Sequence, residues 1–408
     1  MHVTDDRTTQ ERVRPSDAAQ LVDAVADANR DGRSFEIVGG GTKRGFGEPM
    51  HAHALLDLSG LSGIDFYEPE ELVIKVRAGT PVETVRTALD AHRQQLAFEP
   101  PDYGPLFGGA PARGTIGGIV ACNLAGPRRV LSGAVRDAVL GVEGVSGRGE
   151  AFKAGGRTVK NVTGYDVPRL MTGSFGTLAA LTTVTLKLQP AWPDEVTLLI
   201  DGLDDGAATG LLADALRLPF EVSAAAHVGG VRRDTSAVPT TALRLEGPGA
   251  SVAAREVELA KRVGRSLAIR TLGGDASRAF WRALRDLQMF ADDRDACIWR
   301  LMLPGTQAAR VVAAAGGDAI YDWGGSLVFV RTDAATVTRQ AAALRQAVAA
   351  AGGHACLFRA PAALRRAVGA FHPRPANLRA LGERVRDSFD PNRVLNPGRL
   401  DPTDTGAA

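Results

Sequence analysis

The chain has 408 residues with 48 Lys and Arg against 46 Asp and Glu, and the net +2 offers no general attraction to nucleic acid or acidic lipid. Three scattered cysteines (Cys122, Cys297, Cys356) with no C-x-x-C pair give neither a disulfide framework nor an iron–sulfur motif. A polar start and the lack of apolar runs near ~18 residues predict no signal peptide and no membrane span, hence a cytoplasmic protein.

In chain order, residues 16–30 read as an amphipathic helix with Ser16 as N-cap and Gly32 just past its end. A strand over 34–38 then delivers the chain into "GGGTKRGFG" (39–47), and "ALLDLS" and "ELVIKVRAGT" follow as strands. Thr80-Pro81-Val82-Glu83 has the form of a capping box and opens a helix to about His92. Seventeen glycines between Gly104 and Gly176, interleaved with Val, Leu and Ile, are too aperiodic for collagen and too apolar for a linker. They suggest chain laid close against a large flat ligand, or many tight turns. Hairpins, a short helix near 166–171 and the alternating strand "TLAALTTVTLKL" complete this region, and "QPAWPDE" (189–195) marks a boundary.

Beyond it the texture changes to strand–helix–strand units in two sets of similar length, the first with helices near 205–217 and 251–264 and the second with helices near 306–316 and 334–350. They predict a ferredoxin-like sheet with helices on one face, although the two sets share little sequence. A helix near 376–388 and the turn-rich "FDPNRVLNPGRL" end the chain.

The glycine loop looks built for phosphate, since Gly39 to Gly41 leave backbone N–H groups uncovered and Lys43 and Arg44 add charge. It is not a nucleotide-hydrolase loop, which needs a Gly-Lys-Ser/Thr before a helix. It is not a dinucleotide fingerprint either, because Arg44 stands where the third glycine belongs.

Three segments in order resemble the FAD-binding domain of the vanillyl-alcohol oxidase, or p-cresol methylhydroxylase, type: the glycine loop, "RGTIGGIVACNLAGPRRVLSGAVRDAVLGVEGV" (113–145) and "VKNVTGYDVPRLMTGSFGTLAALTTVTLKL" (159–188). The tail is similar to the FDP…NPG ending of FAD-linked 2-hydroxyacid oxidases. The resemblance implies an α+β chain: a two-part FAD-binding domain over 15–190, a ferredoxin-like α/β cap over 191–375, and a helix and tail over 376–408 returning to the FAD domain. It implies that Gly39, Gly40, Gly41, Thr42 and Lys43 or Arg44 hold the pyrophosphate. Gly114, Thr115, Ile116, Gly117, Gly118, Ala121, Asn123 and Gly126 would run past the ribityl chain and ring, with the Ile116 side chain in the core. Gly164, Tyr165, Gly173, Gly176 and Leu181 match the third segment. Asp137 reads equally as a ligand or a local cap. Phe175 and Lys160-Asn161 depart from the family's acidic positions. No His, Cys or Tyr lies in the 39–47 loop, so non-covalent FAD is expected.

Relatives oxidising D-lactate or glycolate carry histidines in the cap; here Val328 stands near one such place and His354 remains at another as a weak catalytic candidate. His51 and His53 read as surface residues, and no metal is expected. With "FWRALRD…CIWRLMLPG" and "GGHACLFRAP", the chain resembles the FAD-binding E-type subunit of bacterial glycolate oxidase. That implies a complex with a D-type flavoprotein subunit and an iron–sulfur subunit, oxidising glycolate or a related small 2-hydroxy acid, with membrane contact only peripheral and through the complex. The alternatives are a self-sufficient FAD oxidoreductase using Arg300, Arg359 or His354 near the ring, and a non-catalytic assembly subunit.

Overall fold

The computed structural model describes residues 10–157, 164–229, 238–264 and 267–401. The first part contains strands β1 (Glu11–Val13), β2 (Phe35–Val38), β3 (Ala54–Asp57), β4 (Ile64–Glu68), β5 (Val73–Arg77), β6 (Gln94–Gln95), β7 (Val139–Ser146), β8 (Ala151–Gly155), β9 (Ala179–Lys187) and β10 (Gln189–Pro190). β1, β3 and β2 form a small parallel sheet, and β4-β5-β9-β7-β8 form a five-stranded antiparallel one. The glycine loop joins β2 to its parallel neighbour β3, so it does connect strand to strand.

Two caps differ from the sequence reading. The helix Ala18–Arg30 is capped by Asp17, whose side chain accepts the Gln20 N–H. Thr80 makes no capping box; its hydroxyl is turned into the Gly63 and Arg77 backbone instead, and Pro81 begins the helix Val82–Asp90. Each time a better-placed acceptor or a tertiary backbone partner outcompetes the local motif.

The cap carries β11 (Asp194–Asp201), β12 (Ala224–Val228), β13 (Thr240–Gly247), β14 (Ile269–Gly273), β15 (Cys297–Met302), β16 (Asp318–Asp322), β17 (Leu327–Thr332) and β18 (His354–Arg359). Their order, β14-β11-β13-β12-β16-β17-β15-β18, is two ferredoxin-like four-stranded units joined edge to edge through β12 and β16. The duplication is therefore present in topology although faint in sequence.

Alternation gives this eight-stranded sheet two uses. Trp299, Leu301, Tyr321, Val328, Val330 and Leu357 pack under the helices Gly305–Ala315 and Ala334–Ala350. Ile298, Ile320, Leu327, Phe329 and Phe358 join the core shared with the FAD-type domain. Charge clamps the two domains together. Glu99 takes both Nη atoms of Arg244 at 2.9 Å and the backbone N–H of Arg128 at 2.6 Å, while Arg128 grips Glu246 at 2.6 and 2.9 Å. Arg244 is 1% exposed, so these charges are satisfied almost entirely by one another. The tail runs beside β2: the Phe35 N–H bonds Val394 and the Asn396 N–H bonds Phe35, laying 394–396 along that strand. Among the described residues no helix is long and apolar enough to cross a membrane.

Removing one partner of the clamp leaves its mate buried and unpaired. Arg244→Met is expected to cost about 3–5 kcal/mol in chemical denaturation at pH 7. Burial alone would raise the Glu99 pKa, but Arg128 and Arg244 outweigh it and hold it well below 4.5. Its contribution is thus complete above about pH 4.5 and is lost as pH falls toward the folded value. Stability of the wild type should fall steeply below that pH and that of Glu99→Gln less so; parallel acid limbs would contradict the assignment.

Candidate functional site

The loop 39–44, the helix Ile116–Cys122, the start of β9 and the tail line a cleft open to solvent, with ≈ 790 Å³ of empty space counted out through its mouth. The sequence marks "TIGGIVAC" only as backbone lying close to a ligand, whereas the structure coils it into this helix. Thr115 caps it, accepting the Gly118 N–H at 3.4 Å. Gly117 is required by packing: a Cβ there would sit 2.8 Å from the Ala78 Cβ and 2.9 Å from its carbonyl oxygen. Gly40 is under still tighter constraint, for a Cβ would lie 1.5 Å from the Arg113 oxygen.

Of the residues expected to hold a cofactor, Gly39, Gly40, Gly41, Thr42, Lys43, Arg44, Thr115, Gly117, Gly118, Ala121 and Leu181 line this cavity. Lys43 is the telling one. Its Nζ reaches the Thr42 hydroxyl at 3.0 Å and has no ion-pair partner among the described residues. Burial pushes its pKa down, so the site withholds a counter-charge that an anionic ligand would supply. Arg44 plays another part than expected. It forks onto Glu36 at 2.9 and 2.5 Å, and Arg399 donates to the same carboxylate at 2.9 Å and to the Arg44 carbonyl at 3.0 Å. Arg44 and Arg399 shape the loop from behind, with their positive charge still at the cavity wall.

Other expectations land elsewhere. Ile116 is fully buried in the core, as its side chain was expected to be. Gly114 does not line the cavity; its carbonyl accepts the Val82 N–H. Asn123 ends the helix with φ +48° and a buried Oδ1 that finds no partner. Gly126 packs beneath the cap, its carbonyl accepting the Trp323 Nε1–H at 3.0 Å, because the chain has by then turned toward the clamp. A Cβ added at Gly164 would meet nothing within 4 Å, and Tyr165 is 95% exposed. Asp137 is a local cap, accepting the Ala134 N–H at 2.9 Å. Lys160 and Asn161 lie outside the described residues. In the cap, His354 is an exposed residue at the start of β18 and does not reach the cavity. Val328 points to the helical side of the sheet. His53 accepts the Ser34 N–H at 3.0 Å.

Sequence reasoning placed the tail against the FAD domain but missed Asn396 and Arg399 as cavity residues, and it missed the aromatic wall. Asn396 accepts the Ile37 N–H and donates to the Phe175 carbonyl, both at 2.7 Å, and so pins the floor of the cavity. The tail's NPG signature was the available signal. Phe46 stacks edge-on to Phe175 (4.9 Å) and Phe358 (4.7 Å), and Phe358 touches Tyr103 and Phe107, so the cavity's inner end is apolar and abuts the cap sheet. Cys122 also lines the cavity, but burial pushes its thiol up to about 11, which disfavours the thiolate a covalent bond to a ring would need. A glycine cradle, a half-buried cation without an ion-pair partner among the described residues and an apolar far wall fit a long ligand with diphosphate at one end and a flat ring at the other.

The FAD binding domain family matches residues 10–155, which contain most of this cavity. D-lactate dehydrogenase of Anaerostipes hadrus is 35% identical over 175 residues, 42% of this chain and 34% of that protein. An alkyldihydroxyacetonephosphate synthase structure superposes with a TM-score of 0.68 at 12% identity, covering 95% of this chain and 75% of that one, which is a likeness of fold.

FAD is the cofactor these residues fit, and Lys43→Met should weaken it about 10- to 100-fold by removing one charge-assisted contact. The same change should leave the thermal stability of the FAD-free chain level or raise it, because it removes a half-buried charge that has no ion-pair partner among the described residues. Fluorescence titration with FAD and a melting curve check both; unchanged FAD affinity would separate Lys43 from the phosphate site. Over 391 residues the chain is 34% identical to the glycolate oxidase subunit GlcE of Escherichia coli (strain K12), covering 95% of this chain and 99% of that one, and it belongs to the GlcE family of FAD-dependent oxidoreductases.

Proposed function

We propose that this chain is the FAD-binding subunit of a glycolate oxidase-like complex that oxidises glycolate and related small 2-hydroxy acids to 2-oxo acids. The observation that carries this reading is the end-to-end similarity to GlcE, cap and tail included. A match to the glycolate oxidase subunit GlcD of Bacillus subtilis, 38% identical over 114 residues, covers 28% of this chain and 23% of that one, so likeness to a D-type subunit is partial. Partners would be a D-type flavoprotein subunit and an iron–sulfur subunit that takes the electrons away, in the cytoplasm with membrane contact only peripheral through the complex.

Non-covalent FAD supplies the two-electron acceptor for hydride leaving the carbinol carbon. The chain's own share is to bind that group in the cavity of loop 39–44, to keep its inner end dry behind Phe46, Phe175 and Phe358, and to hold the cap sheet over it. Proton removal from the hydroxyl needs a base. His354 does not line the cavity, and Arg359 is spent on the carbonyls of Ala296, Leu106, Phe290 and Asp293. Full substrate chemistry is therefore assigned to the assembled complex.

Anaerobic spectra of the purified chain with glycolate or D-lactate test this. The flavin should stay oxidised alone and bleach once the D-type partner is added. Bleaching by the isolated chain would make it self-sufficient and contradict the assignment.

A further inference from the structure

We infer that Arg129 and Arg300 form a binding site for the carboxylate of a small 2-hydroxy or 2-oxo acid, at the face where the cap sheet meets the FAD domain. The inference rests on the reading of the chain as acting on such acids.

Arg300 lies on β15 between Trp299 and Leu301, whose side chains pack under the helices, so alternation sends Arg300 to the opposite face with Ile298 and Phe329. Arg129 comes from the FAD domain, just after the clamp residue Arg128. Both guanidiniums meet one indole: the Arg129 Cζ is 4.2 Å from the Trp323 ring centroid and the Arg300 Cζ 5.8 Å. Neither side chain has a hydrogen-bond or ion-pair partner among the described residues. Burial pushes both pKa values down, and for Arg129 the charge of Arg300 adds to that. The carboxylate whose charge acts on Arg129 is Asp137, which caps Ala134 and lies beside Arg136.

The other arginines of this interface are arranged differently. Arg128 and Arg244 are matched by Glu99 and Glu246, Arg285 by Asp286, and Arg359 by four carbonyls. A guanidinium has five donors, and stacking on an indole satisfies none of them. Two such half-buried groups held near each other without an anion repel each other and keep donors free of any protein partner, an arrangement that a planar, bidentate anion from outside would relieve.

The platform is held in place. Trp323 has φ +52°, costly for a bulky residue, and is kept there by Asp322 Oδ1 accepting its N–H at 2.7 Å and by its Nε1 donating to Gly126. Tyr103, 4% exposed and near enough to feel the charge of Arg300, has a hydroxyl without a partner among the described residues. Burial keeps that phenol protonated, a donor for the second oxygen of an acid. Tyr103 also packs on Phe358, which packs on Phe46 of the FAD cavity wall, so the carboxylate site and the cofactor cavity share an aromatic partition. Such a site captures the acid whether or not the proton leaves in the same chain.

Isothermal titration of the FAD-loaded chain with oxalate, a planar two-carbon acid that is not a 2-hydroxy substrate, tests the inference. Wild type should bind oxalate in preference to inorganic phosphate. Arg300→Gln and Arg129→Gln should each weaken oxalate about 10- to 100-fold, with Arg300→Lys between. FAD content should not change, and the ligand-free melting temperature should stay level or rise, since an unpartnered charge has been removed. Unchanged oxalate affinity in both Gln variants, tighter binding of phosphate than of oxalate, or no oxalate binding by a FAD-loaded wild type would overturn the inference while leaving the proposed function standing. A wild type that takes up no FAD would instead remove the reading beneath it.

Discussion

The two-domain arrangement depends on a four-residue clamp: Glu99 and Arg128 on the FAD side, Arg244 and Glu246 on the cap. Buried ion pairs are poor sources of net stability, because desolvation consumes most of the attraction. What they supply is register. A guanidinium gripping a carboxylate with two parallel bonds tolerates little sliding, so the clamp decides which part of the cap sheet lies over the glycine cavity. Arg300, Trp323 and Phe358 arrive at the interface because β13 is fixed there and the eight strands form one hydrogen-bonded sheet.

A second carboxylate organises the cofactor cavity itself. Glu36 leaves β2, draws in Arg44 from the glycine loop and Arg399 from the tail, and so ties residues far apart in sequence around one acid. Lys43 is left out of that network and faces the cavity. The contrast between arginines that are answered and cations that are not separates scaffold from site here. It points to Lys43 for diphosphate and to Arg129 with Arg300 for a carboxylate.

Much of this was legible in the sequence. Three glycines after a short strand, "TIGGI", and the FDP…NPG tail predicted a flavin-type domain that does occur, and strand–helix alternation predicted a ferredoxin-like sheet, while its duplication shows in the strand order and hardly in the sequence. The failures share a cause. Arg44 looked like a phosphate ligand because sequence shows a charge but not that Glu36 claims it. Gly126 and Asn123 fall within a motif but past the point where the helix Ile116–Cys122 leaves the cavity. Thr80 has the letters of a capping box, yet the Gly63 backbone competes for its hydroxyl. Asn396 and Arg399 act over more than 350 residues of separation, beyond the reach of any local pattern. Arg300 was readable only as one arginine among several, since lack of a partner is a property of three dimensions.

The central claim is that the cavity of loop 39–44 holds FAD without a covalent bond. Absorbance of the purified chain before and after acid precipitation tests it most directly. The account predicts a yellow protein with one FAD per chain, all of it released into the supernatant. A colourless chain that FAD does not restore, or colour that stays with the pellet, would contradict it.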